Sequence, residues 1–285
     1  MKPSTIQLFF CPLNIDLLDE LSTSTVRSWL PENEVKKVDR FIQQTARDQG
    51  LMVRGYLRAV LSHFADIEPQ QWQFEYGEKG KPRLSDDQFS QTGLHFNLSH
   101  SGDWLLIGVV KTNGTTEQQK EFEFGVDIER RRESTNIHSI LNHYFSPPEE
   151  SALLALPEDK HRERFFDLWA LKESYIKAKG LGLSLSLKSF AFNLSSPSYK
   201  ELLVGDETIT IQQDIPLSLL ASDKSDADEV RFETAPQWQC YLGQLNESYR
   251  FAVSVGEAQC SSRKVKSEFT LQAQKISWSE LLQTN

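Results

Sequence analysis

Cysteine is scarce and scattered in this chain. Cys11, Cys240 and Cys260 form an odd set with no metal-ligand spacing, as expected of reduced thiols rather than a disulfide framework. Positive charge is also short: 31 Lys plus Arg face 40 Asp plus Glu, a net charge of −9. Such a balance argues against a general nucleic-acid binder but leaves room for a local basic pocket that holds a phosphate. No run of about eighteen apolar residues occurs, so no membrane span is expected. Pro3, Pro12, Asn14 and Asp16 interrupt the N-terminal apolar run, and no signal peptide is expected either. A G-x-S-x-G elbow, a Walker loop and a G-x-G-x-x-G opening a helix are all lacking, which leaves acyl-enzyme and hydride-transfer chemistry without support. The histidines form no zinc pattern, since His138 and His143 would lie on different helix faces. The expectation is a soluble, cytoplasmic protein.

The chain does have length and apolar content. Its 285 residues, 39% of them hydrophobic and 25% charged, suit a globular fold, with room for two domains of ~150 residues each. Ile6 to Cys11 reads as a buried strand. Leu51, Leu57, Val60, Leu61 and Phe64 recur with a helical period, predicting a helix over about Arg47 to Phe64. Arg47, Arg54 and Arg58 fall on or beside one stripe of it. Strands are expected at Gln71–Tyr76, Leu94–Leu98 and Trp104–Val110, and the polar stretch Lys111–Glu121 reads as a linker. The order then repeats: a strand at Phe122–Ile128, a helix at Phe165–Lys179, a strand at Leu187–Leu194, and a hairpin from Trp238–Leu245 and Tyr249–Val255. Ser195 to Pro236 reads as less regular, with an acidic, Ser-rich patch at Ser222–Glu229 that should loop into solvent. The element order predicts an α+β protein of two similar halves, spanning 1–112 and 122–285 around a linker at 113–121.

Four segments carry chemistry. In Gly125-Val126-Asp127-Ile128-Glu129, strand alternation puts Asp127 and Glu129 on one face. Two neighbouring carboxylates repel unless a proton or cation intervenes, and such oxygens are the hard ligands that Mg²⁺ takes. An acidic solvent-facing edge strand would give the same pattern. In Trp169-Ala170-Leu171-Lys172-Glu173-Ser174-Tyr175-Ile176-Lys177-Ala178, Glu173 and Lys177 are helix neighbours. They would form either a plain ion pair worth ~0.3–0.5 kcal/mol or a carboxylate base beside a phosphate-binding ammonium. Phe96-Asn97-Leu98-Ser99-His100-Ser101-Gly102 runs from a strand into a turn, where His100, Ser99 and Ser101 could meet a phosphate. Glu78-Lys79-Gly80-Lys81-Pro82-Arg83 is a basic turn able to meet an anion, or merely a solvated one.

Taken in order, G-K-P (80–82), F-N-L-S-H-S-G (96–102), G-V-D-I-E (125–129) and W-A-L-K-E-S-Y-I-K-A (169–178) resemble the 4′-phosphopantetheinyl transferases, of the long, monomeric type that activates peptide, polyketide and fatty acid synthases. The resemblance spans roughly Glu34 to Phe192. It implies a pseudo-twofold fold in which each half is a small sheet packed on a long helix. The 1–112 half would lie on the nucleotide side, and the 122–285 half would carry the metal and the catalytic helix. The implied reaction moves the phosphopantetheine arm of coenzyme A to a serine of an apo acyl or peptidyl carrier protein and releases adenosine 3′,5′-bisphosphate. By the same resemblance, Asp127, Glu129 and Glu173 would hold Mg²⁺, and Glu173 would take the serine proton directly or through a water. Lys177 would steady the phosphates. Lys81, Pro82, Asn97, Ser99 and His100 would meet the coenzyme, and Lys37 its 3′-phosphate, helped by Arg47 or Arg54. Glu34 stands where some relatives carry a basic residue, which leaves that grip weaker or rebuilt. Arg130, Arg131 and Arg132 would offer a carrier either a basic patch or only a solvated turn. Two other readings fit the acidic pair: a different metal-dependent phosphoesterase, and a non-catalytic module that binds coenzyme A or a carrier.

Overall fold

The computed structural model describes residues 4–13, 19–112, 122–196, 198–221, 231–257 and 268–283. The expected linker at 113–121, the Ser222–Glu229 patch and Cys260 lie outside the described residues. The first part of the chain forms β1 (Ser4–Pro12), α1 (Glu20–Trp29), α2 (Glu32–Asp39), α3 (Gln44–Ser62), β2 (Phe74–Tyr76), β3 (Pro82–Leu84), α4 (Asp86–Thr92), β4 (Leu94–Ser101) and β5 (Trp104–Lys111). There follow β6 (Phe122–Arg130), α5 (Ile137–Tyr144), α6 (Pro147–Leu154), α7 (Glu158–Lys179), β7 (Phe190–Phe192), β8 (Ser198–Val204) and β9 (Glu207–Gln213). The last elements are β10 (Leu217–Leu220), β11 (Phe232–Thr234), β12 (Trp238–Asn246), β13 (Tyr249–Glu257), β14 (Phe269–Lys275) and α8 (Trp278–Gln283).

The mixed α+β class is as expected. Among the described residues, nine strands join in one sheet in the order β4-β5-β1-β14-β8-β9-β12-β13-β6. β1 alternates between two cores: Ile6, Leu8 and Phe10 face one side, Phe9 and Cys11 the other. On the outer side, α3 adds Met52, Tyr56, Ala59 and Val60, and Trp278 of α8 stacks edge-on against Tyr56. Around α7, Leu168, Leu171, Tyr175 and Ile176 pack on Trp238, Cys240 and Leu242 of β12. The middle layer joins both ends of the sheet, with Phe10 edge-on to Phe251 at 5.0 Å and Val126 packed beside them. Each large apolar side chain fully buried in these layers contributes about 1.5–3 kcal/mol.

That middle layer curls the sheet until its first and last strands meet. β4 faces β6 through side chains rather than a backbone ladder: Val126 N donates to Asn97 Oδ1 at 2.9 Å, and Arg130 N donates to Ser101 Oγ at 3.1 Å. Asn97, Ser99 and Ser101 share the face that meets β6, as period-two alternation requires.

Several expectations need correction. Gln71–Tyr76 pairs only from Phe74, because the buried Arg58 guanidinium takes the carbonyls of Pro69 and Trp72. Leu187–Leu194 begins as a 3₁₀ turn and pairs only at Phe190–Phe192, because buried Lys172 draws in the carbonyls of Leu187 and Phe190. The stretch from Ser195 to Pro236 is more regular than its sequence suggests, holding the β8–β9 hairpin together with β10 and β11. Finally, β4 runs on through Ser99, His100 and Ser101 before the chain turns at Gly102 and Asp103.

Candidate active site

The seam between β4 and β6 is also where α7 comes closest. A Cβ on Gly125 would lie 2.1 Å from the Ser174 carbonyl oxygen and 2.4 Å from Ala178 N, so any side chain there would push the helix off the strand. Gly125, Asp127 and Glu129 share a face of β6, and glycine at the first position lets α7 sit against the carboxylates that follow.

Three carboxylates and a lysine gather there. Asp127 is buried, and its Oδ1 accepts from Ser99 Oγ at 2.8 Å and from Lys177 Nζ at 2.6 Å. Lys177 also donates to Ser99 Oγ at 2.6 Å, closing a three-membered set. Asp127 Oδ2 is buried without a hydrogen-bond partner. Glu129 Oε1 accepts from Ser101 Oγ at 3.3 Å. Burial, with the Asp127 charge adding to it, pushes the Glu129 carboxyl up to about 7. Burial, and then Asp127, raise Glu173 as well. Lys177 pairs with Asp127 rather than with Glu173. The site thus holds more negative charge than its own cations offset.

That surplus is what a hard divalent cation would relieve. The orphaned Asp127 oxygen and the two raised carboxyls fit such an ion, and all the donors are oxygens. Among the described residues, no three such side chains already stand close enough to chelate, so binding would draw them together.

His100 lies at the exposed end of β4, where partial burial and then the charges of Lys177 and Arg54 lower its imidazole. Arg54 Nη1 holds the Gly50 carbonyl at 2.8 Å, with its Nε 3.7 Å from Glu34. Lys37 sits 4.4 Å above the ring of half-exposed Tyr76. Asp127, Glu129, Glu173, Lys177, Ser99, His100 and Arg54 are thereby brought together, with Asn97 one step along the seam.

Other residues are engaged elsewhere. Arg47 Nε donates to the Phe41 carbonyl at 2.6 Å. Lys81 sends its ammonium to the carbonyls of Phe124 and Ala178, at 3.0 and 2.9 Å, and so pins the G-K-P turn to β6 and to the end of α7. Burial lowers that ammonium to about 8. Pro82 opens β3, opposite Tyr76. Glu34 is buried on Arg58 at 2.8 Å, which explains an acid at that position: it neutralises an internal guanidinium. Sequence patterns did not point to Tyr76, nor to Tyr249, whose hydroxyl meets the turn after β4. Neither lies in a recognisable motif, and the strand pairing that carries Tyr249 there joins segments far apart in the chain.

A family model described as the 4′-phosphopantetheinyl transferase superfamily matches residues 123–259, and one described as 4′-phosphopantetheinyl transferase, N-terminal, matches residues 20–112. The 4′-phosphopantetheinyl transferase HetI of Nostoc is 34% identical over 155 residues, 54% of this chain and 61% of that protein. A putative 4′-phosphopantetheinyl transferase of Synechocystis is 27% identical over 230 residues, 81% of this chain and 79% of that protein. The 4′-phosphopantetheinyl transferase ffp of Bacillus subtilis is 32% identical over 177 residues, 62% and 72% of the two chains.

Proposed function

The chain belongs to the 4′-phosphopantetheinyl transferase superfamily, a family of transferase enzymes, and from that premise we propose that it moves the phosphopantetheine arm of coenzyme A to a serine of an apo carrier protein. The observation that carries this reading is the unbalanced group of Asp127, Glu129 and Glu173 beside the Lys177–Ser99 pair. In the transfer, the carrier serine Oγ forms a bond to the pantetheine-side phosphorus. The pyrophosphate bridge breaks, and adenosine 3′,5′-bisphosphate leaves with the bond electrons. Mg²⁺ held by Asp127, Glu129 and Glu173 would offset the charge of the pyrophosphate.

The protein's own groups do the rest. Glu173, one helical turn from Lys177, takes the serine proton directly or through a water. Lys177 lies one turn further along α7 and meets the phosphate oxygens as negative charge moves to the leaving group. His100 and Ser99 line the phosphate path. Arg54 and Lys37 face the nucleotide end, with Arg47 behind them, while Lys81 holds the G-K-P turn whose backbone and Pro82 border the nucleotide. The 1–112 half thus supplies the nucleotide side and the 122–285 half the carboxylates. No described helix is long and apolar enough to cross a membrane. We place the enzyme in the cytoplasm, acting as a monomer.

Intact mass spectrometry of an apo carrier incubated with the protein, coenzyme A and Mg²⁺ tests the reading. The expected result is a gain of one phosphopantetheinyl group that EDTA abolishes. Coenzyme A cleavage without any carrier would point instead to a phosphoesterase. Coenzyme A binding with no mass gain on any carrier would point to a binding module.

A further inference from the structure

The two-residue turn Gly102-Asp103 that joins β4 to β5 belongs to the first half of the chain, yet a tyrosine from the second half holds it. Tyr249 opens β13, paired opposite Arg130 of β6, and its ring is buried. Its hydroxyl accepts from Asp103 N at 3.0 Å and donates to Asp103 Oδ2 at 3.1 Å. The contact is tight: Gly102 has φ +55°, and a Cβ there would lie 2.4 Å from the hydroxyl oxygen. One residue before the turn, Ser101 Oγ accepts from Arg130 N at 3.1 Å and donates to Glu129 Oε1 at 3.3 Å. One residue further back is His100. Two hydrogen bonds therefore tie the tyrosine hydroxyl to Asp103, and only Gly102 separates Asp103 from the serine that orients Glu129.

We propose that Tyr249 is a positioning residue for phosphopantetheine transfer: its hydroxyl clamps the β4–β5 turn, setting Ser101 against Glu129 and His100 against the phosphate path. The proposal rests on the reading of Asp127, Glu129 and Glu173 as the metal carboxylates. Phenylalanine would fill the buried ring position equally well, so the hydroxyl serves the turn rather than the core. Two hydrogen bonds of this kind add only about 1 kcal/mol each to stability. Their leverage is geometric, because a displacement of about 1 Å at a reacting centre can cost up to about a hundredfold in rate. The clamp crosses between the halves of the molecule at the end of the seam nearest Glu129. Lys81 fastens the same seam further back, through the Phe124 carbonyl.

The test compares three variants of the full chain by kcat, by KM for coenzyme A, and by Mn²⁺ affinity measured by electron paramagnetic resonance without substrate. Tyr249→Phe should lower kcat about tenfold and weaken Mn²⁺ binding about fivefold, with KM for coenzyme A changed less than about twofold. Asp103→Asn, which keeps the backbone N–H and an acceptor oxygen, should stay near wild type. Tyr241→Phe controls for a lost tyrosine hydrogen bond elsewhere, since that hydroxyl donates to the Phe269 carbonyl at 2.8 Å; it should leave kcat and Mn²⁺ affinity unchanged. If Tyr249→Phe matches wild type in kcat and Mn²⁺ affinity, or if Tyr241→Phe shows the same losses, the positioning role is overturned while the transferase reading stands. A wild-type protein that neither binds Mn²⁺ nor transfers the arm overturns both.

Discussion

Two ion pairs on adjacent turns of α7 show what separates a structural charge from a working one. Lys172 is fully buried, and it meets Glu149 at 2.7 Å together with the carbonyls of Leu187 and Phe190. Glu149 in turn accepts from Ser146 N, Ser146 Oγ and Phe192 N, so every polar atom of that pair has a partner. Five residues on, Lys177 meets Asp127 at 2.6 Å, but one Asp127 oxygen is left without a partner and the Glu129 and Glu173 carboxyls both feel the Asp127 charge. The first pair is closed, and ties α6 to α7 and β7. The second is open, and its unspent negative charge faces whatever the site takes up. Burial and short distance are common to both, so neither identifies a site; what does is the charge left over.

The comparison breaks most sharply by substitution. Asp127→Ala or Glu173→Ala should leave no detectable transfer even in excess Mg²⁺, a loss of at least about a thousandfold by the carrier mass assay. The milder Glu173→Gln should unfold at the same temperature as wild type or higher, because burial beside Asp127 makes the charged carboxylate a cost to the fold. Glu149→Ala should do the reverse. Stranding the Lys172 ammonium should destabilise by about 3–5 kcal/mol in urea titrations, with kcat per folded molecule within about twofold of wild type. A Glu149 variant that folds normally but fails to transfer would erase the distinction.

A smaller effect tests burial without an ion pair. His95, stacked against Phe89 and Phe122 with Nε2 3.1 Å from Thr112 Oγ1, has its imidazole lowered from 6.5 to about 4 by burial and then by Lys81. Below pH ~6.5 the unfolded chain takes up a proton that the folded one refuses, so this residue's contribution to stability falls between pH 6.5 and 4. The fall is about 3 kcal/mol at most, and His95→Gln should flatten it in unfolding experiments run across that range.

Much of the site was legible because its elements are locally self-consistent. The alternation in Gly125–Glu129 put Asp127 and Glu129 together, the 3.6 period placed Glu173 beside Lys177, and the Trp238–Val255 hairpin followed from its turn. Lys172 illustrates the limit: within the same motif as Glu173, nothing local says that it points into the core to meet Glu149. Glu34 and Arg58 are another such pair, 24 positions apart and joined only by folding. Lys81, read as part of a basic turn able to meet an anion or merely solvated, ties that turn to β6 and to the end of α7, because its acceptors lie 43 and 97 positions away. β8 and β9 were obscured for another reason. Tyr199, Leu203 and several charged or polar side chains stand exposed on them, so neither strand carries a clean apolar alternation.

The place of β14 has a consequence for how the molecule is made. It lies parallel to β1, with Ser4 beside Phe269 and Phe10 beside Lys275, so β1 waits for a partner synthesised 265 positions later. At ~5–20 residues per second, synthesis of the chain between Lys111 and Phe269 takes on the order of ten to thirty seconds. Throughout that interval β1 presents an open edge, with Ile6, Leu8 and Phe10 on one face and Phe9 and Cys11 on the other. A nascent chain of this kind is a natural client for a holding chaperone. Folding of the finished protein should be slow for its size, because its central strand pairing is also among its most distant in sequence.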